Sequence, residues 1–484
     1  DVIRVEDTYY MVSTTMHFMP GCEILQSFDL VHWEHVTYVY ETLDHTDAQQ
    51  LKSGQNIYGQ GMWAASLRYH EGRFYICFVA NDTRKTYLYT SEKIDGPWKK
   101  QLIEGFYHDG SLLFDEDGRN YIVYGNDEIW ITELNEDLTA PKKDGLHRLL
   151  VSDHKNPELG YEGSHIQKIN GYYYIFLVHS LRDRWMRTEA CFYSDSLEGE
   201  FTGGDVLCDD RGYCGQGVAQ GGIVDTPDGK WYAMLFQDSG AVGRIPILLP
   251  VTWKDHFPFF GQNGHVPEEI EVHSTRPGYI YQPLVGSDDF CNGLLPRWQF
   301  NHDPDPRYYH LDALQGTYTI TTREVCTELT QAVNTLTQRM SYPSCAAEVT
   351  VDASALKEGD VAGLCALQSC YAAVGITKHH GKYEVLMLDK KEDGILDMTE
   401  GTVVESHQMD FRLEADFCNM KDEARCYYRV NKGDWLPIGN VHKLYFKLDH
   451  FTGCRFGLFC YAAEETGGSA CFRDFKYYDV DEIS

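Results

Sequence analysis

Four residues whose side chains suit sugar chemistry stand at one fixed distance from the glycines of tight turns. Each lies nine residues before its turn glycine: Trp63 before Gly72, Asp109 before Gly118, Glu162 before Gly171, and Gln220 before Gly229. Two carboxyl groups in one confined site can act as a glycosidase pair, because one donates a proton to the leaving oxygen while another is ionised. Close like charges raise one pKa and keep that acid protonated. A single carboxylate at a strand end is commonly a turn residue, so the hypothesis depends on the shared spacing.

This spacing belongs to a repeat that occurs five times in the first half of the chain. Each copy is an apolar strand, a tight turn and an aromatic strand: VIRVEDTYYMVST from Val2, SLRYHEGRFYICF from Ser66, SLLFDEDGRNYIVYG from Ser111, SHIQKINGYYYIFLV from Ser164 and GIVDTPDGKWYAMLF from Gly222. Their turns lie 46 to 64 residues apart, which suits four-stranded units. The segments SFDLVHW, SEKIDGPW and SDSLEGEF follow three of the copies, and we expect them to form outer strands.

Five four-stranded units arranged in a ring predict a five-bladed β-propeller. Helical periodicity is scarce along the whole chain, so the fold class is all-β, and a β-sandwich of unrelated hairpins is the alternative. In a propeller the first residue of each innermost strand points into the central channel, so the four spaced residues should face one another there. Counting back nine residues from Thr8 in the first copy leads to a fifth such position, two residues before Asp1.

A second domain is expected, because 484 residues exceed the roughly 250–300 that one hydrophobic core supports. We predict a propeller over residues 1–265 and a linker over 266–284, which contains Pro267, Pro277 and Pro283. Residues 285–484 alternate polar and apolar side chains without the propeller repeat. This pattern predicts a C-terminal β-sandwich, of the jelly-roll or concanavalin-like kind.

The composition excludes several classes of partner. Lys and Arg number 42 against 73 Asp and Glu, and the net charge of −31 would repel a nucleic acid or an anionic membrane surface. Aromatic residues make up 13% of the chain, which suits strands and sugar-binding pockets. The fifteen cysteines show no zinc-site spacing, and several lie in apolar runs, such as Cys77 and Cys460. We interpret them as reduced core residues, which favours a cytoplasmic location.

The motifs together resemble glycoside hydrolase family 43, whose members include β-xylosidases and α-L-arabinofuranosidases with a C-terminal β-sandwich. The segments that carry the resemblance span nearly the whole chain: VIRVEDTYYMVSTTMHFMPG, SFDLVHWE, GMWAASLRYHEGRFY, HDGSLLFDEDGRNY, YEGSHIQKINGYYY, GGIVDTPDGKWYAMLFQDSGAVGRIP and SDDFCNGLLPRWQFNHDPDP. The resemblance implies a five-bladed propeller that hydrolyses glycosides.

The resemblance also implies roles for individual acids. The family's general acid lies in a motif like YEGSHI, which corresponds to Glu162, and the acid that orients it and tunes its pKa lies in a motif like HDGSLLF, which corresponds to Asp109. The general base is an Asp whose place falls two residues before Asp1, so we expect the start of the sequence to be trimmed. Asp1 aligns with Ser111 and Ser164 rather than with the base, and we do not nominate it.

Further contacts to the substrate follow from the same resemblance. Arg244 matches an arginine that reaches the substrate and the acids, while Trp63 and Phe18 match aromatic walls around the terminal sugar. His17, beside Phe18, is a weaker pocket candidate. Gln220 occupies a position where many members carry a histidine that faces a channel metal or water. A neutral amide is a poorer metal ligand than imidazole, so this departure from the family argues against a channel cation without deciding the question.

We expect no required cofactor, and at most a structural calcium. Asp289 and Asp474, in SDDF and FRDF, resemble acids that hold calcium in related sandwich domains. Surface turn acids are the alternative interpretation, because two carboxylates do not define a site. Related enzymes commonly self-associate, so the resemblance allows a homo-oligomer, but the sequence does not indicate an oligomeric state.

Two hypotheses for the function remain at this point. The first is an exo-acting, inverting glycosidase that releases terminal β-D-xylose or α-L-arabinofuranose from xylo- and arabinoxylo-oligosaccharides. The second is a non-catalytic carbohydrate-binding protein that uses the same pocket without cleavage. A retaining enzyme acting on fructosides has no support, since residues 2–21 lack the N-terminal nucleophile motif that it would need.

Overall fold

The computed structural model describes residues 1–479, which form a ring of five β-sheets followed by a two-sheet sandwich. Each sheet of the ring has four antiparallel strands in chain order. The strands are, in blade 1, β1 (Val2–Val5), β2 (Thr8–Ser13), β4 (Gly21–Ser27) and β5 (Glu34–Tyr40), with β3 (Phe18–Met19) leaving the blade; in blade 2, β6 (Met62–His70), β7 (Arg73–Ala80), β8 (Lys85–Ser91) and β9 (Lys99–Ile103); in blade 3, β10 (Ser111–Phe114), β11 (Asn120–Asn126), β12 (Glu128–Leu134) and β13 (His147–Ser152); in blade 4, β14 (Glu162–Ile169), β15 (Tyr172–Ser180), β16 (Arg187–Ser194) and β17 (Thr202–Leu207); and in blade 5, β18 (Ala219–Asp225), β19 (Trp231–Asp238), β20 (Arg244–Lys254) and β21 (Phe257–Phe260).

The five-bladed propeller predicted from the repeat is confirmed. Every copy of the repeat forms the two innermost strands of one blade, joined by the predicted tight turn. The glycines at four of these turns have left-handed φ values between 79° and 86°, and the space beside each Cα is open: Gly72, Gly118, Gly171 and Gly229. A residue with a Cβ would be strained there by its backbone alone, which explains why the repeat is punctuated by glycine.

The prediction of outer strands from the second sequence pattern is wrong, because its segments are turns. Ser27, Ser91 and Ser194 each end the third strand of a blade, and the rest of the motif leads into the fourth. The serine Oγ accepts a backbone N–H from a residue two or three positions later, at 2.8 Å for Leu30, 3.2 Å for Lys93 and 3.3 Å for Ser196. The motif is therefore shared because a serine side chain begins the same turn in three blades.

Apolar side chains between neighbouring sheets hold the ring together. Five separate clusters of buried residues fill the five spaces between blades. The ring closes where Val224 and Met234 of blade 5 pack against Val2 and Tyr9 of blade 1. No strand is exchanged between these two blades in the described residues, so closure depends on this packing and on an ion pair with Asp225.

The C-terminal domain is a sandwich of two antiparallel sheets around one large core. Its strands are β22 (Gln299–Asn301), β23 (Tyr309–Asp312), β24 (Thr317–Thr321), β25 (Leu336–Arg339), β26 (Ser344–Asp352), β27 (Val361–Leu367), β28 (Ala372–His379), β29 (Lys382–Lys390), β30 (Leu396–Met398), β31 (Thr402–Val404), β32 (Gln408–Asp416), β33 (Glu423–Arg429), β34 (Leu436–Lys443), β35 (Arg455–Tyr461) and β36 (Ser469–Asp479). One sheet runs β3-β22-β25-β35-β27-β28-β29-β30 with β31 on β29, and the other runs β23-β24-β36-β26-β32-β33-β34. The predicted sandwich is confirmed.

The two domains share a sheet, which the sequence did not indicate. Strand β3 lies within the predicted propeller segment, yet it pairs with β22 at the edge of the sandwich. The last blade strand ends at Phe260 and the sandwich begins at Gln299, with only isolated β-bridges between them. The predicted linker over residues 266–284 falls inside this interval. The edge pairing fixes the sandwich against blade 1, which matters for the site described below.

The helices in the described chain are short 3₁₀ turns: Lys52–Gly54, Gly240–Val242, Leu329–Gln331, Cys418–Met420 and Leu448–His450. Over residues 1–479, none is long and apolar enough to cross a membrane. The cysteines are free thiols in this part of the chain, and most of them are buried. Their burial explains the apolar runs in which they occur, and the cytoplasmic location stays a prediction.

Candidate active site

The four spaced residues line one cavity at the centre of the ring. The cavity has a volume of about 230 Å³ and is bordered on one side by Phe451 and Thr452 of the sandwich. Its side chains include Trp63, Asp109, Glu162, Gln220, Arg244 and Phe451. The nine-residue spacing therefore identified positions that converge in space, although they are far apart in the sequence.

Backbone irregularities let these residues turn into the channel. The pairing of the first two strands shifts register next to Trp63, Glu162 and Gln220, so the innermost strands of blades 2, 4 and 5 carry a bulge at this level. Asp109 and Gln220 have φ values of 47° and 70°, in the left-handed region that side chains rarely adopt. Strained backbone of this kind is concentrated at functional sites, where the surrounding structure holds it in place.

Asp109 and Glu162 face a common neighbour, His108. The His108 Nε2 atom lies 3.6 Å from Asp109 Oδ2 and 3.7 Å from Glu162 Oε2. Burial raises the pKa of Asp109 above its ordinary value, and the Glu162 carboxylate raises it further. Burial lowers the pKa of His108, but the two carboxylates outweigh this effect and raise it. The cluster thus holds a proton more readily than isolated side chains would.

Neighbouring groups fix the orientation of both carboxyls. The Gly163 N–H donates to Asp109 Oδ2 at 3.0 Å, and Asn126 Nδ2 donates to Glu162 Oε2 at 3.0 Å. Because Oε2 accepts this bond, a proton on Glu162 belongs on Oε1, which is free to donate to a substrate. Within residues 1–479, His108, Asp109 and Glu162 are the only three His, Cys, Asp or Glu side chains whose ligand atoms lie close enough together to hold a metal ion. The hydrogen bonds that the two carboxyl groups already accept suit an acid pair rather than a metal site.

Arg244 reaches the cavity from blade 5 as part of a second charged cluster. Its Nε atom lies 3.0 Å from Asp238 Oδ1, and Arg187 Nη1 lies 3.5 Å from Asp238 Oδ2. The two guanidinium groups stack on the ring of Phe236, at 4.5 and 4.6 Å from its centroid. Burial lowers the pKa of Arg187 to about 10, so this group stays charged near neutral pH. Arg244 lines the cavity beside the acids, where its charge would attract electron-rich oxygens of a ligand.

The sandwich supplies one wall of the cavity. Phe451 follows the 3₁₀ turn Leu448–His450, and its ring centroid lies 6.2 Å from that of Trp63. Arg244 stacks on the same ring at 4.1 Å. No sequence pattern indicates Phe451, because it lies nearly 200 residues after the last blade and in no repeat. His108 and Asn126 were also missed, although His108 directly precedes Asp109 in the HDG motif.

Phe18 and His17 do not reach the cavity, contrary to the prediction. Both are fully buried between the propeller and the sandwich. Phe18 belongs to β3, and the Arg455 guanidinium lies 3.9 Å over its ring. His17 packs against His302, with ring centroids 4.8 Å apart. The edge pairing of β3 with the sandwich turns this segment away from the channel, so Met16 lines the cavity instead.

Gln220 lies in the cavity wall, but its side-chain oxygen and its backbone N–H both contact protein groups. Arg187 Nη2 donates to Gln220 Oε1 at 3.5 Å, and the Gln220 N–H donates to Glu189 Oε2 at 2.7 Å. A metal ion at this position would face a guanidinium, which is unfavourable. The arrangement does not fit a cation in the channel beside Gln220.

Asp1 links two blades. Its Oδ2 atom accepts the Leu67 N–H at 2.9 Å and Arg68 Nη1 at 2.5 Å. In the next two blades a serine plays the same part: Ser66 Oγ accepts the Leu112 N–H, and Ser111 Oγ accepts the Ile166 N–H. With a side chain only 1% exposed and paired to Arg68, Asp1 is poorly placed to activate a water. The predicted base position lies outside the described residues and stays a prediction.

Asp289 and Asp474 line one surface hollow of the sandwich, together with Asn292. Asp289 Oδ1 already accepts the Cys291 N–H at 2.9 Å. Among residues 1–479 these two acids do not belong to any group of three potential ligands within metal-binding distance. A calcium ion here stays a prediction.

The propeller and the sandwich each match a known protein family. Residues 1–258 match the family described as "Glycosyl hydrolases family 43", and residues 287–478 match "Beta xylosidase C-terminal Concanavalin A-like domain". A protein named beta-xylosidase from Formosa agariphila is 26% identical, with 99% of this chain and 87% of that protein covered. A non-reducing end alpha-L-arabinofuranosidase from Bacteroides ovatus is 23% identical, with 82% of this chain and 77% of that protein covered.

Solved structures match the whole described architecture. A bifunctional GH43-CE protein from Bacteroides eggerthii is 42% identical with a TM-score of 0.91, and 99% of this chain is covered. This chain spans 62% of the length of that protein. A GH43 glycoside hydrolase engineered to display both endo-xylanase and exo-arabinofuranosidase activity is 27% identical with a TM-score of 0.85, covering 99% of this chain and 97% of that one.

Proposed function

Because the chain belongs to glycosyl hydrolase family 43, we propose that it is an exo-acting, inverting glycosidase that releases terminal β-D-xylose or α-L-arabinofuranose from xylan-derived oligosaccharides. The observation that carries this proposal is that Asp109 and Glu162 contact the same histidine and line a cavity walled by Trp63 and Phe451. The names of relatives from Formosa agariphila and Bacteroides ovatus support both sugars.

The proposed reaction is a single displacement. Glu162 donates the proton on Oε1 to the glycosidic oxygen, while Asn126 holds its other oxygen as an acceptor. Asp109, fixed by the Gly163 N–H, orients Glu162, and the two carboxyl groups share a contact with His108. A base at the position two residues before Asp1 activates water on the opposite face. Inversion requires the acid and base to be roughly 6.5–9.5 Å apart, which leaves room for that water.

Exo action is supported by the position of the sandwich beside the cavity. The sandwich covers one side of the propeller with Phe451, so an extended chain could not lie across the channel at that point. Only a terminal sugar would enter, with its apolar face against Trp63 and its oxygens toward Arg244 and the acids. The leaving part of the oligosaccharide would remain outside.

Side-by-side assays of the protein in its full natural length test this proposal. We expect para-nitrophenyl β-D-xyloside or α-L-arabinofuranoside to be hydrolysed, and ¹H NMR of the first-formed product to show the inverted anomer. A retained anomer would overturn the mechanism. Binding of xylobiose without hydrolysis of either aryl glycoside would instead identify a carbohydrate-binding protein.

Removing the sandwich wall should weaken sugar binding. Phe451→Ala is expected to raise KM for both aryl glycosides about tenfold, since one aromatic contact with the sugar is lost. Leu448→Ala is the matched control, because Leu448 precedes Phe451 on the same turn, is 51% exposed and lies outside the cavity. Unchanged steady-state kinetics of the Phe451 variant would show that this ring does not contact the substrate.

A further inference from the structure

Glu189 is a buried acid that lies outside the cavity and that the proposed mechanism does not use. It belongs to β16 of blade 4, and its side chain is fully buried. Its Oε2 atom accepts the Gln220 N–H at 2.7 Å, while its Oε1 atom has no hydrogen-bond partner among the described residues. A carboxyl group is costly to bury, so a single bond to a backbone N–H needs an explanation.

Gln220 is the residue through which Glu189 acts on the site. Its φ of 70° is unfavourable for a residue with a side chain, and the bond to Glu189 holds it there. Its side chain packs directly against Gly163, since a Cβ atom on that glycine would lie 2.7 Å from Gln220 Cγ. Gly163, itself at φ 67°, donates the N–H that fixes Asp109. An unbroken set of contacts thus runs from Glu189 to Asp109.

The surroundings of Glu189 favour its neutral form. Burial raises its pKa well above the ordinary value, and the Gln220 N–H and the charge of Arg187 only partly oppose this. These two groups are the polar and charged neighbours that act on it from blades 4 and 5. Because Oε2 accepts a bond, the proton belongs on Oε1. A neutral amide could replace this carboxyl group because its oxygen can also accept the Gln220 N–H, whereas an apolar side chain has no acceptor.

We propose that Glu189 is a positioning residue, which holds Asp109 in its working orientation through Gln220 and Gly163. The expected kinetic effects rest on the proposed function, whereas the contacts from Glu189 to Asp109 do not depend on it. If it is correct, removing the acceptor at Glu189 will let the Gln220 backbone leave its left-handed conformation. The Gly163 N–H will then move away from Asp109. Asp109 will lose a bond that favours its ionised form.

Three variants test this chain of contacts. Glu189→Met removes the acceptor with a side chain of similar length, and Glu189→Gln keeps a neutral acceptor in place. Asp360→Leu is the matched control, because Asp360 is also fully buried, accepts one backbone N–H from Lys357 at 2.8 Å and leaves Oδ1 without a partner. Asp360 directly precedes β27, a central strand of the sandwich, and does not line the cavity.

We expect Glu189→Met to lower kcat about 10- to 100-fold with KM little changed, because misplacing a group near the chemistry by about 1 Å costs up to this factor. The acidic limb of its pH profile should move to higher pH. Glu189→Gln should keep kcat and the acidic limb of the pH profile close to those of the wild type. Asp360→Leu should lower the melting temperature and change neither kcat nor the acidic limb. A wild-type kcat in Glu189→Met, or equal damage in Glu189→Gln, would overturn the inference.

A second readout separates this inference from the proposed function. In the unliganded protein, infrared difference spectroscopy follows the Asp109 carboxyl, whose band is assigned with Asp109→Asn. Its titration should move to higher pH in Glu189→Met and stay in place in Glu189→Gln. If the wild-type protein hydrolyses neither aryl glycoside, the proposed function fails, yet this titration still decides the role of Glu189. An unmoved titration in Glu189→Met contradicts it.

Discussion

Replacing Glu162 by Gln should lower kcat/KM for xylobiose about 10³-fold, because general acid catalysis of a poor leaving group contributes roughly 10²–10⁴-fold. The amide oxygen can still accept the Asn126 bond, but the amide has no acidic proton to transfer to the glycosidic oxygen. Steady-state kinetics on xylobiose measures the loss.

The leaving group provides an internal control for this prediction. An aryl glycoside that departs without protonation should lose much less activity in Glu162→Gln than xylobiose does. Glu158→Gln is the matched variant, since Glu158 is exposed on the loop that precedes the same strand. Equal losses on both substrates would show that Glu162 binds the sugar rather than protonating it.

Asp109→Asn should reduce kcat about 10²-fold or more and also change the pH dependence. Asp109 acts in its ionised form, and burial together with the Glu162 carboxylate raises its pKa. Wild-type activity should therefore fall, as the pH decreases, at a higher pH than an ordinary aspartate would require. The variant has no carboxyl to titrate here, so its remaining activity should lack this acidic limb. An acidic limb that persists unchanged would assign it to another group.

The stability of the same variant should move in the opposite direction to its activity. A carboxyl whose pKa is higher in the folded state than in the unfolded state binds its proton more tightly on folding. Above that folded pKa, the buried charge of Asp109 therefore reduces the free energy of unfolding. Asp109→Asn removes this charge, so its melting temperature at pH 7 should equal or exceed that of the wild type. A lower melting temperature would indicate that Asp109 stabilises the fold.

The all-β architecture and the acid pair followed from local regularities. Turn glycines such as Gly118 and Gly171 mark each inner hairpin because only glycine adopts their φ without strain. A residue at a constant distance before that turn must occupy the same level of its blade. Asp109 and Glu162 could be placed in one channel for this reason, before any contact between them was known. The serine motifs after the third strands recur just as regularly, yet they form turns and not the predicted outer strands. Their regularity comes from a serine side chain that begins the same turn in three blades, and the sequence alone does not distinguish this from a repeated strand.

The amino-acid sequence alone therefore predicted the repeated unit and the two acids that face the propeller axis. The other groups that complete the site depend on how distant segments pack. Phe451 forms a wall because β3 joins a sandwich sheet, and the same pairing withdraws Phe18 from the cavity. Glu189 reaches Asp109 only across the space between blades 4 and 5. These contacts join residues that share no period, and their energies depend on three-dimensional packing that no local pattern encodes.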